Sequence, residues 1–220
     1  MLKYVFTKFV VFCCIISFSQ VPVRDEPRHH NVFENEFLRV LDVYLKPGDT
    51  TQYHLHNTPS VFIILSNSNV GSRLLGGQPQ KGANINGVIS YDSLAKPRTH
   101  QVWNEDTSWF HVMDVELTSA KTKLLIPPLQ NPDLKLLFNE EQVNGYDISI
   151  ASGATIQLPP SSNGYLLVSK GIATIDYRIN DVTQRRFMKT GHYIWIEAGK
   201  RSSIYLNSPT PSSFVLLQLK

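Results

Sequence analysis

One pattern occurs twice in this chain. "FENEFLRVLDVYLKPGDTTQYH" begins at Phe33 and "FNEEQVNGYDISIASGATIQLP" begins at Phe138. Laid over each other without a gap, they match Phe33 with Phe138, Glu36 with Glu141, Asp42 with Asp147 and Val43 with Ile148. Leu45 then meets Ile150, and Gly48 meets Gly153. The same register carries "VFIILSNSNV" onto "LLVSKGIATI", and "HQVWN" near His100 corresponds to "SSIYL" near Ser202 after a small change in length. Self-similarity over half a chain predicts one domain used twice. The competing explanation is that short β-patterned segments align by chance, in which case the halves need not share a strand order.

The repeated unit reads as β-structure. "FLRVLDVYL", "SVFIIL", "SWFHVMDVEL", "YDISI", "GYLLVS", "IATIDYRI", "GHYIWI" and "SSFVLLQL" are rich in β-branched and aromatic residues. Turn signals separate them, among them Pro47-Gly48, Gly76-Gly77, Asn86-Gly87, Asn144-Gly145, Ser152-Gly153 and Ala198-Gly199. No long, capped amphipathic helix pattern is present, so an all-β fold of two barrels or sandwiches is expected. The boundary falls near "LLIPPLQNPD", where Pro127, Pro128 and Pro132 forbid central-strand pairing. This gives β-domains over residues 20–125 and 126–220. "VPVRDEPRHH", ahead of the first copy, reads as a mobile polar lead-in.

Residues 1–19 belong to neither domain. Lys3 and Lys8 precede an apolar block from Phe9 to Phe18, and Ser17-Phe18-Ser19 supplies a small-x-small cleavage pattern. The block is short for a bilayer span, so a cleaved secretory signal peptide is expected, with a retained N-terminal anchor as the alternative. Export to the periplasm or the medium follows from the signal reading. Cys13 and Cys14 both lie in this segment, so the processed chain would hold no disulfide and no thiolate ligand. Without Lys3 and Lys8 the Lys+Arg count falls from 21 to 19 against 18 acids. The charges are scattered, with no basic stripe to hold nucleic acid.

The chemistry is carried by "KPGDTTQYHLHNTPSVFIIL". Alternate residues of a strand share a face about 6.5–7 Å apart, so His54 and His56 point the same way. Two imidazoles on one face can converge on a metal ion, although an H-x-H pair also occurs on strands that face solvent. "KPRTHQVWN" adds His100 on another strand, with Val102 and Asn104 on its face. Gly48-x5-His54-x-His56 resembles the first half of the cupin motif, G-x5-H-x-H-x3,4-E-x6-G. Pro97-x2-His100-x3-Asn104 resembles the end of the second, P-x-G-x2-H-x3-N. On these motifs and the repeat the mature chain resembles a two-barrel cupin over nearly all its length.

The resemblance implies two tandem cupin-type double-stranded β-helix (jelly-roll) barrels. It implies a divalent transition metal (Fe, Mn, Ni, Cu or Zn) on His54, His56 and His100. Two departures limit the carry-over. The family's glutamate ligand is absent, because Ser60 and Val61 occupy its place, and the closing glycine is replaced near Ser66 and Asn67. In the second copy Pro159, Ser161 and Ser202 stand at the three histidine positions. That implies a degenerate, metal-free C-terminal barrel whose role is to cover the first or to mediate association.

Cupins with three-histidine sites include thiol and diketone dioxygenases. Hence the expected function is a small-molecule metalloenzyme, dioxygenase-like or an isomerase or lyase. A non-catalytic small-ligand or structural module is the alternative. A homodimer through sheet edges is implied by resemblance alone. By parity, Gln52 is expected beside the metal, while His29 and His30 are read as lead-in residues that hold no metal, His192 as exposed at a turn and His111 as a satisfied sheet histidine. No proton-transfer residue is visible.

Overall fold

A computed structural model of the protein describes residues 20–120 and 126–220. The segment read as a signal peptide lies outside them. The first half holds β1 (Val21–Pro22), a 3-10 turn (Val23–Asp25), β2 (His29–Glu34), β3 (Leu38–Leu45), β4 (His54–His56) and β5 (Ser60–Ile64). It continues with β6 (Ser68–Leu74), β7 (Gln80–Asn84), β8 (Ile89–Asp92), β9 (Arg98–Asn104) and β10 (Phe110–Leu117). The second half holds β11 (Leu134–Asn139), β12 (Val143–Ile150), β13 (Thr155–Leu158), β14 (Tyr165–Ser169) and β15 (Ala173–Ile179). Its last strands are β16 (Val182–Met188), β17 (Tyr193–Ile196), β18 (Ser202–Leu206) and β19 (Ser212–Leu219).

Strand order shows that the repeat is a repeat of structure. The first half forms sheets β2-β3-β10-β5-β8 and β1-β4-β9-β6-β7, and the second forms β11-β12-β19-β14-β17 and β13-β18-β15-β16. Adding nine to each strand number of the first half gives the second, with β1 left over. Each half is a jelly-roll barrel of two facing sheets. The short strand β1 has no counterpart among the described residues. It pairs in parallel with β4, with Val21 opposite His54.

The pleat sorts each strand into two environments. On β3, Leu41, Val43 and Leu45 point into the first barrel, where they pack with Phe110 and Val112 of β10. The alternate residues Leu38, Val40, Met113, Val115 and Leu117 point the other way. They pack against Val143, Leu166, Val168, Val215, Leu217 and Leu219 of the second barrel. The eight residues of β10 are buried throughout, because one face lines a barrel and the other lies under the neighbouring one. Two ring contacts flank this shared core in pseudo-twofold fashion: Phe33 with Tyr193 at 5.8 Å, and Phe138 with Tyr91 at 5.9 Å. The second barrel therefore covers an apolar sheet face of the first.

Most turn glycines behave as expected: Gly48, Gly76, Gly87, Gly153 and Gly199 all have positive φ. Asn144-Gly145 does not turn. It lies inside β12, opposite Asn139 and Phe138. A Cβ on Gly145 would sit 2.2 Å from Phe138 Cζ. The glycine is there to admit an aromatic ring, a need that looks identical to a turn signal in sequence. The "VPVRDEPRHH" lead-in is also corrected, since it supplies β1, the 3-10 turn and the start of β2. Pro22 ends the two-residue edge strand β1 and Pro27 stands between the turn and β2, positions that proline tolerates.

Candidate metal centre

Strands β4 and β9 run antiparallel with His54 opposite His100. The parity of β4 turns His54 and His56 into the barrel, where they are 1% and 2% exposed. The ring centroids of His54, His56 and His100 are 5.0, 4.6 and 4.9 Å apart in the pairs 54–56, 54–100 and 56–100. His56 Nε2 lies 3.1 Å from His100 Nε2. The structure thus brings the three motif imidazoles together.

It also brings in a fourth. His29, at the start of β2, is buried, with its ring 4.7 Å from that of His54 and 6.4 Å from that of His56. His29, His54 and His56 each present a ligand atom within 4.8 Å of the others. This corrects the reading of His29 as a lead-in residue apart from the site, whereas the neighbouring His30 is exposed.

Two of the four rings are oriented by a hydrogen bond at Nδ1, and a third has only a more distant carboxyl group there. His54 donates from Nδ1 to the Gln52 carbonyl at 2.9 Å. His29 Nδ1 is 2.8 Å from Glu26 Oε2. His56 Nδ1 faces Asp114 Oδ2 at 3.5 Å, longer than a good hydrogen bond. With Nδ1 committed outward, Nε2 is the nitrogen left to face the cluster, the usual outer-shell arrangement around metal-binding imidazoles. The Gln52 side chain is exposed. Its carbonyl, not its amide side chain, serves the site, because β4 begins only at His54 and the parity count does not extend back to residue 52.

The electrostatics match a site built for neutral imidazoles. Burial, reinforced by the charge of neighbouring His29, lowers His54 to about 4. Burial and the charge of His54 lower His100 to about 3. Burial, with His100 and His54 beside it, also pushes His56 down. Burial alone would raise Glu26, but hydrogen bonds from His29 and from the Arg28 and Gln52 amides outweigh it and hold the carboxylate at about 2. Asp114 goes the other way. Burial, then the Glu116 carboxylate, raises it to about 8. Neither Asp114 oxygen nor His56 Nδ1 has a hydrogen-bond partner among the described residues.

A divalent metal fits this donor set. Bonds of about 2.0–2.1 Å to imidazole place neighbouring ligand nitrogens roughly 3 Å apart, and the His56–His100 pair has that spacing. A His100 Nε2–H donating to His56 Nε2 would satisfy that pair alone. It would not account for the ligand atoms of His29 and His54, which lie within 4.8 Å of each other and of one on His56.

The imidazoles form one end of a cavity of about 250 Å³ whose other walls include Val43, Leu45, Phe62, Ile64, Phe110 and Val112. Asp114, Thr51 and Ser90 add the remaining polar groups. A larger outer groove of about 620 Å³ shares His100, Val102 and Phe110 with it and runs along β6 and β7. Of the aromatics near the motif, Phe62 lines the cavity, its ring 5.9 Å from His56. Tyr53 instead packs under Arg73, and Trp109 is half exposed beneath Lys46. His111 is paired with Asp42 at 2.7 Å on the face toward the second barrel. Asp114, which no sequence motif singled out, is legible in retrospect from the alternation Phe110, Val112, Asp114 on β10. In the second barrel the corresponding interior is filled by Tyr146, Ile156, Leu158, Tyr165 and Phe214.

No protein-family model matches the chain, and no curated protein matches it at a significant level. Solved structures do. AerE from Microcystis aeruginosa superposes with a TM-score of 0.62 at 9% identity, covering 89% of this chain and 98% of that one. A cupin 2 conserved barrel domain protein from Leptotrichia buccalis gives 0.55 at 9% identity, over 87% and 88%. The salicylate 1,2-dioxygenase of Pseudoaminobacter salicylatoxidans gives 0.58 at 10% identity, over 83% and 72%. These likenesses show the fold, that of a two-barrel cupin. Among the described residues no helix is long and apolar enough to cross a membrane.

Proposed function

We propose that the first barrel holds a divalent transition metal on His54, His56 and His100 and acts there on a small, largely apolar organic molecule, as a dioxygenase or as an isomerase or lyase. The observation that carries this is the convergence of those rings, with His56 and His100 nitrogens 3.1 Å apart, at the end of an apolar cavity. A metal in that position supplies Lewis acidity and, if redox-active, a means of engaging dioxygen. The chain's own residues do the rest. The Gln52 carbonyl orients His54, while Val43, Leu45, Phe110 and Val112 exclude water. The volume, below the roughly 300–1,000 Å³ of drug-sized sites, favours a compact substrate that arrives by the β6–β7 groove. Export under residues 1–19 and a homodimer through sheet edges belong to the same reading.

A non-catalytic binding or structural module is the second reading. It draws on the presence of His29, since a metal closed off by four protein ligands is typically structural. The test is an oxygen electrode. Chelator-stripped protein, reloaded anaerobically with Fe(II), is mixed with a panel of small hydroxyaromatics, diketones and thiols. Oxygen uptake with one compound, abolished in His100→Ala, supports the dioxygenase. Metal retention with no oxygen uptake and no conversion of any compound supports the second reading.

A further inference from the structure

We infer that the N-terminal segment of the first barrel completes the metal centre: His29 is its fourth imidazole, and Glu26 is the positioning residue that aims it. The inference rests on the metal reading above and extends it to residues outside the motif.

The second barrel provides an internal control. In the register of the repeat His29 corresponds to Leu134, because His29 pairs with Val43 on β3 as Leu134 pairs with Ile148 on β12. The same turn precedes both. His29 donates its backbone N–H to the Glu26 carbonyl at 2.9 Å, and Leu134 donates to the Asn131 carbonyl at 3.1 Å. One backbone therefore accepts Glu and His in the first barrel and Asn and Leu in the second. There Leu134 packs into the apolar core. The first barrel places a carboxylate and an imidazole in those positions. Folding does not ask for that exchange, since burying a charge costs stability unless it is fully paired.

Glu26 is held as a positioning group would be. Its side chain is 0% exposed. Its oxygens accept from the Arg28 amide at 2.7 Å, the Gln52 amide at 3.1 Å and Arg28 Nη1 at 3.3 Å, besides facing His29 Nδ1. Arg28 in turn binds Asp49 at 2.8 and 3.2 Å. The segment is thereby fastened to the loop that leads into His54, and β1 is added to the edge of β4 itself. A carboxylate behind Nδ1 fixes the tautomer and raises the basicity of Nε2. The fourth donor thus comes from β2, while the position after His56 where the motif expects glutamate holds Ser60 and Val61. Four imidazoles close a tetrahedral zinc site but leave positions on a metal of higher coordination number, such as iron or manganese.

The probe is Co(II) alone, titrated into chelator-stripped full-length protein and followed by its visible d–d absorption. His29→Leu and Glu26→Asn import the residues that the second barrel uses on the same turn. Glu26→Gln keeps an acceptor for the Arg28 and Gln52 amides, and His30→Ala is the exposed control. Unfolding midpoints of the metal-free variants report whether each has folded. We expect folded His29→Leu to bind cobalt more weakly with an altered d–d spectrum. Glu26→Gln should lose about 10–100-fold in affinity with its metal-free unfolding midpoint little changed, and His30→Ala should match the parent. If the parent binds cobalt and folded His29→Leu binds it with the same affinity and spectrum, His29 is no ligand and the three-histidine reading stands without it. If the parent binds none, both fall.

Discussion

Replacing Asp114 by Asn should make the metal-free protein more tolerant of alkaline pH. Asp114 is 1% exposed, and burial, followed by the Glu116 carboxylate, raises its carboxyl to about 8 from an ordinary value of 3.8. Between those values the folded chain keeps a proton that the unfolded chain has released. Stability therefore falls as pH rises through this window and levels off above 8. At about 1.4 kcal/mol per pH unit, the change between pH 5 and pH 9 is on the order of 4 kcal/mol. Asn has nearly the same shape and does not titrate, and the histidine background is common to both proteins. Urea unfolding of the chelator-stripped pair at pH 5 and pH 9 isolates the effect. The parent should lose about 4 kcal/mol relative to Asp114→Asn across that range. A stability gap that is the same at both pH values would refute the assignment of a buried, protonated Asp114.

Three further outcomes follow from the same geometry. His54 is held at about 4 by burial and by neighbouring His29, against 6.5 for an unperturbed imidazole, so the unfolded chain protonates first and metal-free stability is lost as pH falls from 6.5 to 4. That loss is about 3 kcal/mol from this ring, and His54→Gln should flatten the acid limb of a urea-midpoint profile. Gly145→Ala puts a methyl against the Phe138 ring and should lower stability by about 1–3 kcal/mol, read from the same unfolding curve. Leu217→Ala opens a hole in the core that both barrels share. It should cost about 2–5 kcal/mol, and tryptophan fluorescence and circular dichroism should still report one coincident transition.

The residues differ in how far they declare themselves in the chain. His54 and His56 are legible because β4 is a strand and its parity alone turns both inward. His100 is legible because a second short motif places it on the strand opposite. The repeat is legible because Phe33, Asp42 and Gly48 recur with one spacing, and the shared strand order accounts for it. His29 and Glu26 are not, because a polar run with two prolines looks the same whether it is loose or fastened. What fastens it here is a parallel pairing to β4 and a buried carboxylate, both long-range. Gly145 misleads for a related reason: a glycine that makes room for a ring and a glycine that turns the chain are one letter. Asp114 shares its strand with His111 and Glu116, and only the placement of β10 between two barrels shows that its face is the cavity.

Metal stoichiometry of the purified protein tests the central claim most directly, with the parent measured beside His56→Ala and His100→Ala by elemental analysis after exhaustive dialysis against a single divalent metal. Convergence of the rings on one cation predicts one equivalent in the parent and a loss of most of it in each folded variant. Equal metal content in all three proteins, or none in any, would contradict it.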